Sequence, residues 1–259
     1  MFSPFTTDLL AIGVLAALGL LLLAAIAQQV RRSHYTLAQS AIYGLNSLVS
    51  RILWRAEIRG HIAIADGQGA LIVCNHRGPI DPAFIQLMTG RRVVHWMVAK
   101  EYCVNPALAW FFRTCQAIPV GRGGVDTAAT KMAIRYAQAG HLVGLFPEGR
   151  LNTSPALLLP GRPGAAMIAL KARVPVVPCY LSGSPYTGTS LGPLVTPAHA
   201  RLVIGAPLDI SAYYGRDGER EVLEELTLRF LREIARLAGR PDFRPSLAGR
   251  LYKPELADV

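Results

Sequence analysis

The chain of 259 residues has room for one domain, or for one domain with a small attachment. Hydrophobic residues make up 51% of it and charged residues only 17%, which excludes an intrinsically disordered chain. Four cysteines without a CxxC pair exclude a disulfide-rich secreted scaffold and give no support to a zinc site. Lys and Arg outnumber Asp and Glu by 27 to 17, and the mean hydropathy of +0.31 indicates contact with a membrane.

The first predicted element is an uncharged run from Leu9 to Ala27. As a helix its 19 residues would span roughly 28 Å, close to the ~30 Å hydrocarbon core of a bilayer. We interpret residues 1–32 as a retained transmembrane or membrane-inserted anchor. A cleaved signal peptide is the alternative, but the run is longer than a usual h-region and no basic residue precedes it. Arg31 and Arg32 follow it directly, so the positive-inside rule predicts a cytoplasmic location for the rest of the chain.

Basic residues are concentrated next to this run. Between Gln28 and Lys100 nine Lys and Arg residues stand against three acidic ones. Such an excess favours an anionic lipid surface, at about 1 kcal/mol for each basic residue close to it. A solvated basic face is the alternative. A nucleic-acid partner is not expected, because no DNA- or RNA-binding signature accompanies the charge.

The rest of the chain divides into three predicted parts. Residues 33–59 should form a membrane-proximal helix over residues 34–55, which would lie along the bilayer or cover the next domain. In residues 60–240 short β-branched strands alternate with helices, which predicts an α/β domain with a largely parallel sheet flanked by helices. Residues 241–259 are predicted to be a C-terminal tail. The predicted strands are Ala70–Cys74, Val93–Ala99, Ala117–Val120, Leu142–Phe146, Val174–Leu181 and Arg201–Ile204, and the predicted helices are Pro82–Thr89, Pro106–Thr114, Thr127–Ala139, Gly164–Ala172 and Glu219–Ala238.

The first candidate site follows the strand Ala70–Cys74. In open α/β folds ligands bind beyond the carboxyl ends of the strands, which is where His76 falls. Gly78 and Pro79 predict a turn that returns Asp81 towards His76. A carboxylate bonded to one imidazole nitrogen leaves the other nitrogen as a base. The alternative is a structural histidine, with Asp81 serving only as the N-cap of the next helix.

Two more strand ends carry residues that suit an anion. Glu148, Gly149 and Arg150 follow the fourth predicted strand, and Arg122 follows the third. Arginine presents a planar donor fork that fits phosphate, and Glu148 could orient that arginine or accept a hydrogen bond from a hydroxyl. A surface turn with an ion pair is the alternative. The three strand ends together predict a site for an anionic substrate.

These blocks resemble, in order and in spacing, those of the glycerolipid acyltransferases typified by 1-acylglycerol-3-phosphate acyltransferase. Asn75 and His76 with Asp81 match the NH-x4-D block, and residues 146–149 match the FPEG block. Residues 118–122 resemble the second block, which ends in arginine. Residues 174–178 match the fourth, proline-bearing block. The resemblance covers residues 70–182.

The resemblance implies a membrane-bound acyltransferase that requires neither a metal nor another cofactor. One departure concerns Arg150, which follows Gly149 directly where the common family form, FPEGTR, has a threonine between them. Arg162 stands where many relatives have the Lys of a Lys-x-Gly motif. The predicted catalytic residues are His76 and Asp81, and the predicted substrate-binding residues are Arg122, Glu148, Gly149, Arg150 and Arg162.

The expected reaction moves a fatty acyl group from a thioester to a lysolipid hydroxyl. His76 would take the hydroxyl proton and Asp81 would stabilise the imidazolium, with loop amides near Gly78 or Gly149 as candidate oxyanion donors. The first expected acceptor is 1-acyl-sn-glycerol-3-phosphate, and the altered Arg150 spacing makes another lysolipid the second. The donor is acyl-CoA or acyl-carrier protein, since both are acidic and suit a basic surface.

Two other functions stay open. Cys74 could act as a nucleophile with His76 as its base, although it ends an apolar run that is typical of a core strand. Alternatively, the chain could be a membrane-tethered lipid-binding protein without catalysis. The intact pair of His76 and Asp81 argues against that alternative.

Overall fold

The computed structural model describes residues 12–249, apart from residues 15, 22–23, 25–26, 29, 32–34, 91, 122–125 and 190. The predicted anchor over Leu9–Ala27 therefore lies partly outside the described residues, and the predicted ligand Arg122 lies wholly outside them. The described positions between Ile12 and Val30 are helical. In the part of the chain that is described, none of the helices combines the length and the apolar character needed to cross a bilayer.

One twisted sheet forms the centre of the described chain. Its strands are β1 (Glu57–Arg59), β2 (Ala70–Cys74), β3 (Val94–Ala99), β4 (Ile118–Val120), β5 (Leu142–Leu145), β6 (Val176–Ser182) and β7 (Arg201–Ile204). They follow the order β1-β7-β6-β2-β5-β3-β4. Neighbouring strands run parallel except β6 and β7, which are antiparallel. The expected α/β fold with a largely parallel sheet is confirmed.

Helices cover both faces of this sheet. They are α1 (Leu37–Ile52), α2 (Asp81–Thr89), α3 (Pro106–Thr114), α4 (Thr127–Gln138), α5 (Gly164–Ala172) and α6 (Arg220–Leu237). Each lies within a few residues of its predicted bounds. The ends follow local signals: Thr36 and Gln39 form a capping box at the start of α1, and Asp126 accepts from the Ala129 N–H at 3.0 Å to cap α4.

The alternation of side chains along β2 shows why its sequence is apolar without interruption. Leu71 and Val73 pack among α4, α5 and α6 on one face, whereas Ala70, Ile72 and Cys74 pack on the other face with Trp54 and α2. A strand that is buried on both faces needs apolar residues at every position. The two hydrophobic layers meet at this strand and at its neighbours, so the carboxyl end of β2 is held in the middle of the sheet.

Two segments differ from the sequence-based expectation. Glu57–Arg59, placed before the predicted domain start at residue 60, forms β1 and pairs with β7. All three of its residues are exposed, so the strand leaves no apolar pattern in the sequence. Within the predicted tail, the Ala248 N–H donates to the Gly161 carbonyl at 2.9 Å and the Gly161 N–H donates to the Ser246 carbonyl at 2.9 Å. Both segments are held by backbone hydrogen bonds to distant residues, which local patterns do not reveal.

We predict that Phe230→Ala lowers the free energy of unfolding by about 3–5 kcal/mol, because Phe230 on α6 is fully buried and its removal leaves a cavity. The matched control is Arg232→Ala on the exposed face of the same helix, where we expect a change of about 0.5 kcal/mol or less. Urea unfolding of the purified protein measures both. Equal losses in the two variants would contradict the described packing of α6.

Candidate active site

The histidine loop (residues 75–80) and the Glu148 loop (residues 146–163) leave the sheet side by side. The first follows β2 and the second follows β5, and these two strands are parallel neighbours in the centre of the sheet. The carboxyl ends of adjacent parallel strands open to the same edge, so residues more than 70 positions apart in sequence meet there. The sheet topology therefore brings the histidine loop and the Glu148 loop together, as the sequence predicts.

The imidazole of His76 is bonded to the carboxylate of Asp81. Nδ1 of His76 lies 3.0 Å from Oδ2 of Asp81. The Asp81 residue is fully buried, while the side chain of His76 keeps 17% of its surface exposed. A carboxylate that accepts a hydrogen bond from Nδ1–H fixes the tautomer and leaves Nε2 as the nitrogen that can take a proton. The arrangement suits a general base.

Three further donors hold the Asp81 carboxylate. Its Oδ2 also accepts from the backbone N–H groups of Arg77 at 2.6 Å and Gly78 at 2.9 Å, and its Oδ1 accepts from the Ser184 hydroxyl at 2.6 Å. Hydrogen bonds to a charged acceptor are the stronger kind, and a buried carboxylate requires them. The carboxylate is therefore fixed in place before any substrate arrives.

The alternative role of Asp81 as a helix N-cap is not what the structure shows. Helix α2 begins at Asp81 itself, with Ile80 in the N-cap position and no side-chain cap. The Asp81 carboxylate turns back to the histidine loop instead of bonding the amides of its own helix. Its position in the first turn of α2 still places a negative charge at the favourable end of the helix dipole.

Aromatic side chains fix the plane of the imidazole. The ring of Phe146 stacks on His76 with 3.7 Å between centroids and 2° between planes, and Trp96 stacks on Phe146 at 4.9 Å. Gly144 lies under Trp96, where a Cβ atom would come within 2.8 Å of the indole. The phenylalanine of the FPEG block thus supports the histidine directly.

Glu148 joins the two loops from the inside. It is 2% exposed, and its two oxygens accept from the His76 N–H at 2.8 Å and from the Leu159 N–H at 2.7 Å. Burial raises the pKa of Glu148 to about 7, although the two N–H groups act to lower it. Its bonds lead to the backbone of the histidine, so the structure gives it a positioning role where the sequence suggested contact with substrate.

Of the remaining predicted binding residues, the three that the structure describes, Gly149, Arg150 and Arg162, cluster at the turn of the Glu148 loop. Gly149 has φ +70°, and a Cβ atom there would lie 2.9 Å from Cδ of Arg162. The Arg162 N–H donates to the Pro147 carbonyl at 2.9 Å, and its side chain is exposed. Arg150 follows Gly149 and is partly buried. The positive φ therefore favours glycine at this turn, where the side chain of Arg162 approaches the backbone.

Sequence reasoning missed Arg77, whose guanidinium clamps the Glu148 loop. It donates to the carbonyl oxygens of Asn152 at 3.1 Å, Ser154 at 2.7 Å and Ala156 at 2.7 Å. The Asn152 N–H in turn donates to the His76 carbonyl at 2.8 Å. These partners lie 75 or more positions away, and no local signal in the sequence connects them.

Cys74 is not available as a nucleophile. Its side chain is fully buried at the end of β2, and burial raises the pKa of its thiol well above the ordinary value. A thiol that is buried and kept protonated cannot attack a thioester. The alternative thiol mechanism is therefore excluded by packing.

The Acyltransferase family model matches residues 55–182, which contain both loops. The 1-acyl-sn-glycerol-3-phosphate acyltransferase of Bacillus subtilis (strain 168) is 28% identical over 174 residues, which cover 67% of this chain and 83% of that one. The enzyme of the same name from Streptococcus pneumoniae is 27% identical over 173 residues, covering 64% of this chain and 62% of its own length.

Solved structures show the same fold. The crystal structure of the 1-acyl-sn-glycerophosphate (LPA) acyltransferase from Thermotoga maritima superposes with a TM-score of 0.58 at 22% identity, over 75% of this chain and 78% of that one. The fold, the ordered blocks and the matching family model agree. Residues 55–182 thus form a domain of the Acyltransferase family, the chain is similar to the glycerolipid acyltransferases over that domain, and it is identified as an acyltransferase.

Proposed function

We propose that this enzyme transfers a fatty acyl group from acyl-CoA or acyl-carrier protein to the free hydroxyl of 1-acyl-sn-glycerol-3-phosphate, giving phosphatidic acid. The observation that carries the proposal is the bond between His76 and a fully buried Asp81 at the edge of the sheet. The names of the matched relatives support the same acceptor. The intact pair also favours catalysis over a lipid-binding role without chemistry.

In the proposed reaction Nε2 of His76 takes the proton of the acceptor hydroxyl as its oxygen attacks the thioester carbonyl. The tetrahedral intermediate then collapses, the C–S bond breaks and the leaving thiolate takes the proton from the imidazolium. Asp81 stays ionised and stabilises the imidazolium between these two steps. A positioned base contributes about 10²–10⁴-fold to such a reaction. The Gly78 and Gly149 N–H groups already donate to Asp81 and to the Phe146 carbonyl, each at 2.9 Å, so we propose that other backbone amides of these two loops supply the oxyanion donors.

The proposed phosphate site lies on the Glu148 loop. Gly149 allows the chain to turn under the side chain of Arg162, and Arg150 follows directly. Guanidinium groups at this turn would hold the acceptor phosphate and so position its hydroxyl. Arg122, outside the described residues, is proposed as a further ligand because it follows β4 at the same edge of the sheet.

A second acceptor class follows from the position of Arg150. Since it lies one residue nearer to Gly149 than in FPEGTR, the loop could match the head group of another lysolipid. A panel of purified acceptors that share one acyl chain but differ in head group decides between the two. The highest kcat/KM with lysophosphatidate supports the first proposal, and a higher value with a zwitterionic or amino-lipid acceptor supports the second.

The proposed location is a membrane, with the catalytic domain on the cytoplasmic face. The uncharged run over Leu9–Ala27 and the adjacent Arg31 and Arg32 support it. An acceptor with a long acyl chain is dissolved in lipid, so an enzyme that uses it has to reach the bilayer. The exposed leucines of α1, among them Leu37 and Leu45, are consistent with a helix that lies against lipid.

We predict that His76→Ala lowers kcat by at least about 100-fold, because the variant has no base at the acceptor hydroxyl. Release of thiol from the acyl thioester in the presence of lysophosphatidate measures it. His61→Ala, at an exposed position outside the site, is the matched control and should retain the wild-type rate. Transfer at the wild-type rate by His76→Ala would refute the general-base mechanism.

A second prediction concerns the raised pKa of Glu148. In the unfolded chain this carboxyl loses its proton near pH 4.5, whereas in the folded protein it does so near pH 7. Between these values the unfolded state binds fewer protons, so the free energy of unfolding falls as the pH rises, by about 3 kcal/mol in total.

Glu148→Gln removes this titration. Urea unfolding of both proteins from pH 4 to pH 8 should show the wild type losing about 3 kcal/mol relative to the variant as the pH rises. The other titrating groups contribute equally to both proteins, so their effects cancel when the two free energies of unfolding are subtracted. A difference between the two proteins that does not change with pH would show that the carboxyl titrates normally.

A further inference from the structure

Helix α3 (Pro106–Thr114) is apolar and yet buries none of its nine residues. Trp110 is 54% exposed, Phe111 36% and, just before the helix, Val104 82%. A contiguous exposed apolar patch on a soluble domain marks a surface that binds a partner or a membrane. The domain already holds this helix through its half-buried residues and through Gln39, so Trp110 and Phe111 are exposed apolar surface beyond what its packing needs.

The position of α3 connects it both to the site and to the membrane-proximal helix. The chain reaches α3 from the carboxyl end of β3, which opens to the same edge of the sheet as the histidine loop. At its other end, the Gln39 side chain of α1 donates to the Thr114 carbonyl at 2.8 Å. Leu37, two residues before that contact, is 68% exposed. The carboxyl end of α3 therefore lies beside the first turn of α1.

The chemistry of this patch favours lipid over protein. Tryptophan and phenylalanine with flanking basic side chains are the residues that lie in the interface of a bilayer. Arg113 stands in the last turn of α3, and Lys100 precedes the helix with 57% of its side chain exposed. The segment that precedes it, residues 28–100, carries the excess of basic residues that attracts anionic lipids.

We propose that Trp110, Phe111 and Val104 form a second bilayer contact, which turns the edge of the sheet that holds His76 towards the lipid. The inference rests on the proposed function, since a lipid acceptor is what such an orientation would serve. It adds a defined surface of the catalytic domain to the proposed N-terminal anchor.

Tryptophan fluorescence tests the contact at a single position. Trp54 is 2% exposed and Trp96 is 6% exposed, so Trp110 is the tryptophan that lipid or water can reach. In vesicles of phosphatidylglycerol and phosphatidylcholine we expect blue-shifted emission that brominated lipids quench, and we expect Trp110→Phe to lose that quenching. Quenching by aqueous iodide instead would place α3 in water. Resistance to both quenchers would mean that protein covers it, and either result overturns the proposal.

Activity separates this inference from the proposed reaction. The double variant Trp110→Ser with Phe111→Ser should lose about tenfold in rate with a long-chain acceptor presented in vesicles. The reason is that two apolar side chains that would be buried in the lipid are removed. It should keep the wild-type rate with a short-chain acceptor dissolved as monomers. Met132→Ser on α4, where Met132 is 42% exposed, is the matched control. An equal loss of rate by the double variant on both acceptors would contradict a role at the membrane. A wild-type rate on the soluble acceptor would show that the chemical step is intact in this variant.

An independent observation concerns Ser184, which lies outside the four blocks of the family. It follows β6, and Gly183 turns the chain there with φ +69°; a Cβ atom on Gly183 would collide with the His199 carbonyl oxygen. The turn brings the Ser184 hydroxyl to 2.6 Å from Oδ1 of Asp81. It also lies 2.9 Å from where a Cβ atom on Gly78 would be, so the histidine loop fits closely around it.

The two oxygens of Asp81 are served from different parts of the chain. The donors from the histidine loop all reach Oδ2, while Ser184 supplies Oδ1 from the other side. Because Asp81 is fully buried, an oxygen without a donor would destabilise its charged form. We infer that Ser184 is a positioning residue that holds the Asp81 carboxylate in line with His76. This inference also rests on the proposed function.

Ser184→Ala should lower kcat by about tenfold while the KM values for both substrates stay within about twofold, since the substrates do not depend on this hydroxyl. Ser184→Thr restores a hydroxyl and should recover most of the rate. Ser182→Ala, two residues earlier on β6, is the control and should behave as the wild type. A wild-type kcat for Ser184→Ala, or no recovery in a folded Ser184→Thr variant, would overturn the assignment. If the wild-type protein itself transferred no acyl group to the acceptor, that result would refute the proposed function and not the contact between Ser184 and Asp81.

Discussion

A buried carboxylate organises the site. Asp81 has no exposed surface, and placing its charge there is tolerable only because donors reach both of its oxygens. The donors lie in the loop after β2 and in the turn after β6, and the sheet brings these two segments together because β2 and β6 are neighbouring strands. The carboxylate therefore ties the chemistry of the site to the order of the strands. A different strand order would leave Oδ1 of this buried carboxylate without the Ser184 hydroxyl.

Glu148 performs a related task one strand away. It accepts from backbone N–H groups of two loops, His76 in one and Leu159 in the other. A carboxylate shared in this way fixes the backbone of the histidine, and stacking on Phe146 fixes its ring. The site is thus rigid on the protein side, which suits the proposed reaction, in which a general base would serve a hydroxyl carried by a flexible lipid. The cost is a carboxyl held in a poorly solvated position, which its raised pKa reflects.

Much of this could be predicted from sequence, for a specific reason. Strands such as Ala70–Cys74 are apolar throughout because both their faces are buried, and the helices between them carry their own caps, such as Asp126. The pair of His76 and Asp81 is close in the chain and is separated by turn-forming residues. β1 was missed because its three residues are exposed and its partner lies more than 140 positions away. The contacts of Arg77 were missed because its acceptors are backbone carbonyl groups, which every residue has and which no residue type marks.

The sequence by itself determined the α/β alternation, the ordered blocks and the candidates for base, carboxylate and phosphate ligands, because these depend on local propensity and on residues near one another in the chain. Only the tertiary structure decided what each acidic group does. Between the two roles that the sequence left open for Asp81 it favoured the predicted partner of His76, and it buried Glu148 under the histidine backbone. It also enclosed Cys74 between two layers and brought Ser184 to Asp81 from 103 positions away. These outcomes depend on which strand ends become neighbours and on where water is excluded, and both are fixed only when the sheet is assembled.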